Sequence, residues 1–165
     1  MPERFDAGEI LKIAVQVKES SCNLYEALKD KGKDQNLKNL WAYLKEESQV
    51  HAKVFKEMVA DLEDYIVYQL ISEEYNQYLR ELTPSYEHAQ KLIEKKTKEL
   101  FDSDLEAVEF GIYIAIESIL AYSTLKEHII PEKLDLLNTI IGDEKRSLAR
   151  LSAFKKQLKR QNKPS

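Results

Sequence analysis

Residues that break helices are so scarce in this chain that their positions nearly dictate its architecture. The punctuation reduces to Gly32, Thr83-Pro84, Asp102-Ser103-Asp104, Ile130-Pro131 and a polar tail from Gln161. Five helical segments fall between these points, over 6–31, 35–62, 64–101 (broken before Pro84), 104–129 and 132–160. Asp34, Thr83 and Asp104 are placed to act as N-caps, and Pro84 and Pro131 suit first-turn positions. No strand pattern competes.

The periodicity inside the segments agrees. In the second, Leu37, Trp41, Leu44, Ser48, His51, Phe55, Met58 and Leu62 recur at spacings of three and four, a core-facing stripe with two polar residues at its middle. The first puts Leu11, Ala14, Lys18, Ser21, Tyr25 and Leu28 on one face. The fourth does the same with Leu105, Val108, Ile112, Ala115, Ile119 and Tyr122. The last aligns Leu134, Leu137, Ile141, Glu144, Leu148 and Leu151, with Ser147 one turn beyond Glu144. A lysine interrupts the first stripe and a glutamate the last.

The two halves also repeat. Laying the first segment on the fourth brings Tyr25 onto Tyr122 and Leu28 onto Leu125. Almost the same offset lays the second on the last, bringing Ser48 onto Glu144, His51 onto Ser147 and Phe55 onto Leu151. A repeated helical hairpin is implied, and two such hairpins packed antiparallel make a four-helix bundle joined by a long helical crossover. The expected division of the single 1–165 domain is hairpin 6–62, crossover 63–103 and hairpin 104–160.

Composition narrows the function. One cysteine, Cys22, excludes an internal disulfide and a Cys-x-x-Cys metal knuckle, and fits a reducing cytoplasm. It reads as a small core filler more than a reactive thiol. A net charge of -4 with both signs interspersed offers no field for nucleic acid, and the basic run Lys155 to Arg160 fits the last turns of a helix. The first residues lack a signal-peptide order, and no window approaches about eighteen uncharged apolar residues, so no membrane segment is expected.

Lys18, Ser48 with His51, Ala115, and Glu144 with Ser147 fall at matching heights in the four stripes. Burying a lone carboxylate or ammonium costs several kcal/mol, so Lys18 and Glu144 must meet partners, bind something or leave the core.

On these residues the chain resembles the rubrerythrin branch of the ferritin-like superfamily. The resemblance is carried by Ile10-Leu11-Lys12-Ile13-Ala14 leading to Leu24-Tyr25, by Val50 to Phe55, and by Asp143-Glu144-Lys145-Arg146 followed by Leu148 to Leu151. It implies two iron ions held by a Glu from each of two helices and Glu-x-x-His from each of the other two. Matched position by position, those ligands would be Lys18, Ser48 with His51, Ala115, and Glu144 with Ser147, of which His51 and Glu144 alone keep a ligating type. Glu46 and Glu47 point roughly 100° or more from the Ser48 direction and are expected in solvent.

The expectation is therefore a degenerate site without a cofactor, in which Lys18 pairs with Glu144 while Ser48, His51 and Ser147 supply remaining hydrogen bonds, on a non-catalytic structural or interaction protein. Two other readings stay open. One is a single weakly held zinc or iron on His51 and Glu144; the other is a rubrerythrin-type di-iron oxidoreductase or peroxidase that recruits Glu19, Glu47 or Glu117. His88 and His128 are expected at the surface. Four of the nine tyrosines, Tyr65, Tyr68, Tyr75 and Tyr78, crowd the start of the crossover, which either packs on its own bundle or forms an aromatic homodimer or partner surface. A homodimer is the partner expected from the resemblance.

Overall fold

The computed structural model describes residues 7–62 and 72–161. Five α-helices form there: α1 (Ala7–Lys31), α2 (Gln35–Ala60), α3 (Glu73–Glu99), α4 (Asp104–Leu125) and α5 (Leu134–Gln161). The hairpins are α1 with α2 and α4 with α5, and α3 is the crossover, laid along α1 and touching α4. This is the expected all-α antiparallel bundle.

Capping explains most boundaries. Asp34 accepts from the Leu37 amide at 2.9 Å and starts α2 as expected. At α4 the cap is Ser103, which accepts from the Glu106 amide at 3.2 Å, and Asp104 instead becomes the first helical residue. The expected break at Pro84 does not occur, because α3 runs through it. Thr83 is no cap: its hydroxyl donates to the Leu79 carbonyl at 3.2 Å, one turn back, and so is satisfied within a continuing helix. Ser72, which accepts from the Tyr75 amide, is the cap of α3.

The stripes of α1 and α2 are buried as read, apart from a half-buried Leu62. Tyr25 stacks on Trp41 with ring centroids 5.7 Å apart, and Phe55 meets Tyr122 at 5.0 Å, so the repeated tyrosines both anchor on α2. In α4 the buried face is turned slightly from the expected one. Val108, Gly111, Ala115, Ser118 and Tyr122 point inward, while Ile112 and Ile119 are half-buried. Gly111 lies on this face, where a Cβ would meet Leu151 Cδ2 at 3.1 Å, so α4 and α5 pack tightly at this point.

Two further expectations change. Asp104–His128 is long and apolar enough to cross a membrane by composition, contrary to the sequence reading, but half of its apolar window is buried as a core element of the bundle. His128 is buried, with its ring stacked on Tyr75 at 6.2 Å, because the short turns after α4 fold it under the start of α3. His88 is exposed as expected. Tyr65 and Tyr68, with the apolar residues around them, lie outside the described residues; Tyr75 hydrogen-bonds Glu127, and Tyr78 is exposed.

Candidate metal centre

All six positions singled out in the sequence, Lys18, Ser48, His51, Ala115, Glu144 and Ser147, are buried. Helical spacing puts Lys18 on α1, Ser48 and His51 on α2, Ala115 on α4, and Glu144 and Ser147 on α5. Lys18, His51 and Glu144 converge. The Lys18 ammonium donates to Glu144 Oε1, and His51 Nδ1 lies 3.5 Å from that same oxygen. Lys18 also sits over the Tyr122 ring, 5.8 Å from its centroid.

The anticipated role of Ser147 is not observed. Its hydroxyl donates to Glu47 Oε1 at 2.7 Å. Glu47 is therefore not a solvated residue, as its direction on the helix had suggested, but a half-buried one whose flexible stem carries the carboxylate around the rim of α2. The signal for it was its spacing from His51, since residues four apart share a face. Glu46 is exposed as expected. Glu47, His51 and Glu144 together offer one ligand atom each within 4.8 Å of one another.

Neighbouring groups orient the imidazole. His51 Nε2 lies 2.9 Å from Asp143 Oδ2, and Arg146 pairs with the other Asp143 oxygen. With Nε2–H donated to Asp143, Nδ1 carries a lone pair, and that buried atom makes no hydrogen bond. A lone pair aimed at a carboxylate oxygen is an arrangement that a cation between them would relieve.

Burial dominates the electrostatics, and the partners decide the outcome. Burial alone would raise the Glu144 carboxyl, but the Lys18 ammonium outweighs it and holds it below the ordinary carboxylate value. Burial alone would lower Lys18; the Glu144 charge outweighs it and keeps the lysine charged. For Glu47 burial wins, and the carboxyl is pushed up, with the Ser147 hydrogen bond pulling down and the Glu144 charge adding to the rise. Burial also raises the hydroxyls of Tyr25, Tyr86 and Tyr122, and Tyr86 donates to Tyr122 at 3.0 Å. Cys22 is half-buried and its thiol is pushed up by burial, which makes it a poor nucleophile.

The donor set can be tested against the metals the resemblance implies. Two iron ions do not fit: Lys18 brings a positive charge to one ligand position, Ala115 brings no donor to another, and Ser48 and Ser147 bring neutral hydroxyls. One divalent cation fits, since two carboxylates and one imidazole nitrogen supply a compatible charge and a mixed oxygen and nitrogen donor set.

The fold is similar to that of a ferritin-like diiron-carboxylate protein from Thermotoga maritima, with a TM-score of 0.65 and 20% identity over 94% of this chain and 98% of that one. Among curated proteins no relative matches the chain. The expectation of no cofactor is corrected on two findings. One is the convergence of Glu47 with His51 and Glu144, which adds an anionic donor that the sequence reading had left in solvent. The other is that the rubrerythrin family model matches residues 9–155, so the chain belongs to the rubrerythrin family.

Proposed function

We propose that this protein is a ferritin-like bundle reduced to a single metal seat, holding one iron-class divalent cation on Glu47, His51 and Glu144 in a non-catalytic binding or structural role. The observation that carries the reading is the three-donor group beside a buried ammonium: enough ligands for one cation, and a positive charge where a second would need an anion. When bound, an iron ion there would supply Lewis acidity and one-electron chemistry, whereas the paired centre of a diiron-carboxylate protein has a second ion to share the change of charge.

The chain's own residues do the rest. Asp143 fixes the His51 tautomer so that Nδ1 faces the seat, and Ser147 holds the Glu47 carboxylate at its rim. His51 is only 2% and Glu144 only 3% exposed while Glu47 is half-buried at the rim, so a reducible substrate has little access to the two inner donors. We take the whole chain as one ferritin-like domain, with hairpin 6–62, crossover 63–103 and hairpin 104–160.

The test is anaerobic loading with Fe2+, removal of unbound metal, and elemental mass spectrometry. One equivalent of iron per chain is expected. Two equivalents would refute the single seat, and none would refute metal binding altogether.

A further inference from the structure

We propose that Lys18 is a built-in competitor for the cation seat, its ammonium occupying the Glu144 oxygen that a bound divalent cation needs, so that it stabilises the metal-free bundle and weakens metal affinity. The inference rests on the one-metal reading above and concerns how that seat is controlled.

Glu144 Oε1 has two claimants. It accepts from the Lys18 ammonium, and it is the oxygen that His51 Nδ1 faces at 3.5 Å. A cation seated between His51 Nδ1 and Glu144 would take that oxygen from Lys18 or share it at close range. Sharing is costly, because the region is buried and a divalent cation and an ammonium would repel each other with little water to screen them. Displacement is also costly. Lys18 is packed over the Tyr122 ring in a pocket that also contains Tyr25 and Tyr86, and the remaining carboxylate, Glu47, already accepts from Ser147. Without the metal, the same ammonium neutralises a carboxylate that would otherwise be buried and unpaired. One side chain therefore acts with opposite sign on the two states, for the metal-free fold and against loading.

Opposite signs make the idea testable. Wild type, K18M, K18Q and K18R would be titrated with Co2+ by isothermal calorimetry and melted without metal and at saturating Co2+. K18M and K18Q are expected to bind Co2+ on the order of 10- to 100-fold more tightly than wild type, because the competing charge is gone. K18R, which keeps it, should stay near wild type. Metal-free K18M and K18Q should melt below wild type, and Co2+ should raise their melting temperatures by more than it raises that of wild type.

Equal or weaker Co2+ binding by both charge-free variants would overturn the competitor role while leaving the seat in place. No Co2+ uptake by any of the four proteins would instead overturn the one-metal reading. Should K18M fail to fold without metal, K18Q retains a hydrogen-bond donor toward Glu144. Refolding either variant in Co2+ followed by chelator competition gives the same affinity ratio.

Discussion

Replacing Glu144 with glutamine removes the counter-charge of Lys18 while keeping nearly the same volume, and its cost follows from the pair's surroundings. Both residues are 3% exposed. Once the carboxylate is gone, Lys18 can remain charged and unpaired, or it can release its proton. Release at pH 7 from an ordinary value near 10.5 costs about 5 kcal/mol, which caps the loss. Breaking a buried pair in this way costs about 3–5 kcal/mol, in agreement with that ceiling. For a chain of this length each kcal/mol shifts the melting temperature by about 2–4 °C, so metal-free E144Q should melt about 6–20 °C below wild type in differential scanning calorimetry with chelator present. The double variant K18M/E144L removes both charges and fills the space with apolar atoms. It should return to within about 1 kcal/mol of wild type or exceed it, giving a coupling energy above about 2 kcal/mol. An E144Q protein that melts within about 2 °C of wild type would refute the claim that this pair stabilises the bundle's interior.

Three further outcomes are expected. Asp143→Ala should weaken Co2+ binding by about 10- to 100-fold, because His51 loses the acceptor that fixes its tautomer, while circular dichroism stays unchanged; undiminished affinity would contradict the orienting role. Tyr25, Tyr86 and Tyr122 ionise above the ordinary tyrosine value when folded, so their protonation favours the fold below about pH 10 and that contribution is lost as pH rises further. In an alkaline titration followed by tyrosinate absorbance, these three should therefore appear only with unfolding, and their smooth titration in the native protein would contradict the packing. Finally, K18E/S48E/A115E/S147H restores the full set of family ligand types and should carry near two equivalents of iron. A folded quadruple variant holding one equivalent or none would show that the ligand positions are misassigned.

The fold was legible because its signals are local. Apolar residues at spacings of three and four, punctuated by Gly32, Asp34 and Ile130-Pro131, specify helices whatever their neighbours do, and the repeat relating Tyr25 to Tyr122 specifies how many hairpins there are. The Lys18 and Glu144 encounter was also legible, since two charges facing a core must find each other or leave it. Boundaries were less so. Thr83 had the composition of a cap but lies inside α3, where its hydroxyl is satisfied by the Leu79 carbonyl. Ser103 and Asp104 are both competent caps, and which one serves depends on where the chain turns out of α3.

Sequence by itself thus determined the helical bundle, its two repeated hairpins and the presence of an acid, a base and an imidazole at one height inside it. Only tertiary structure decided what those groups make together. Glu47 joins His51 and Glu144 because α5 brings Ser147 to meet it, and no direction drawn on a single helix contains that partner. His51 presents Nδ1 to the interior because Asp143, on another helix, takes Nε2. Helix formation is fixed by contacts a few residues apart, whereas a metal seat is a meeting of atoms from distant segments, placed by the packing of whole helices.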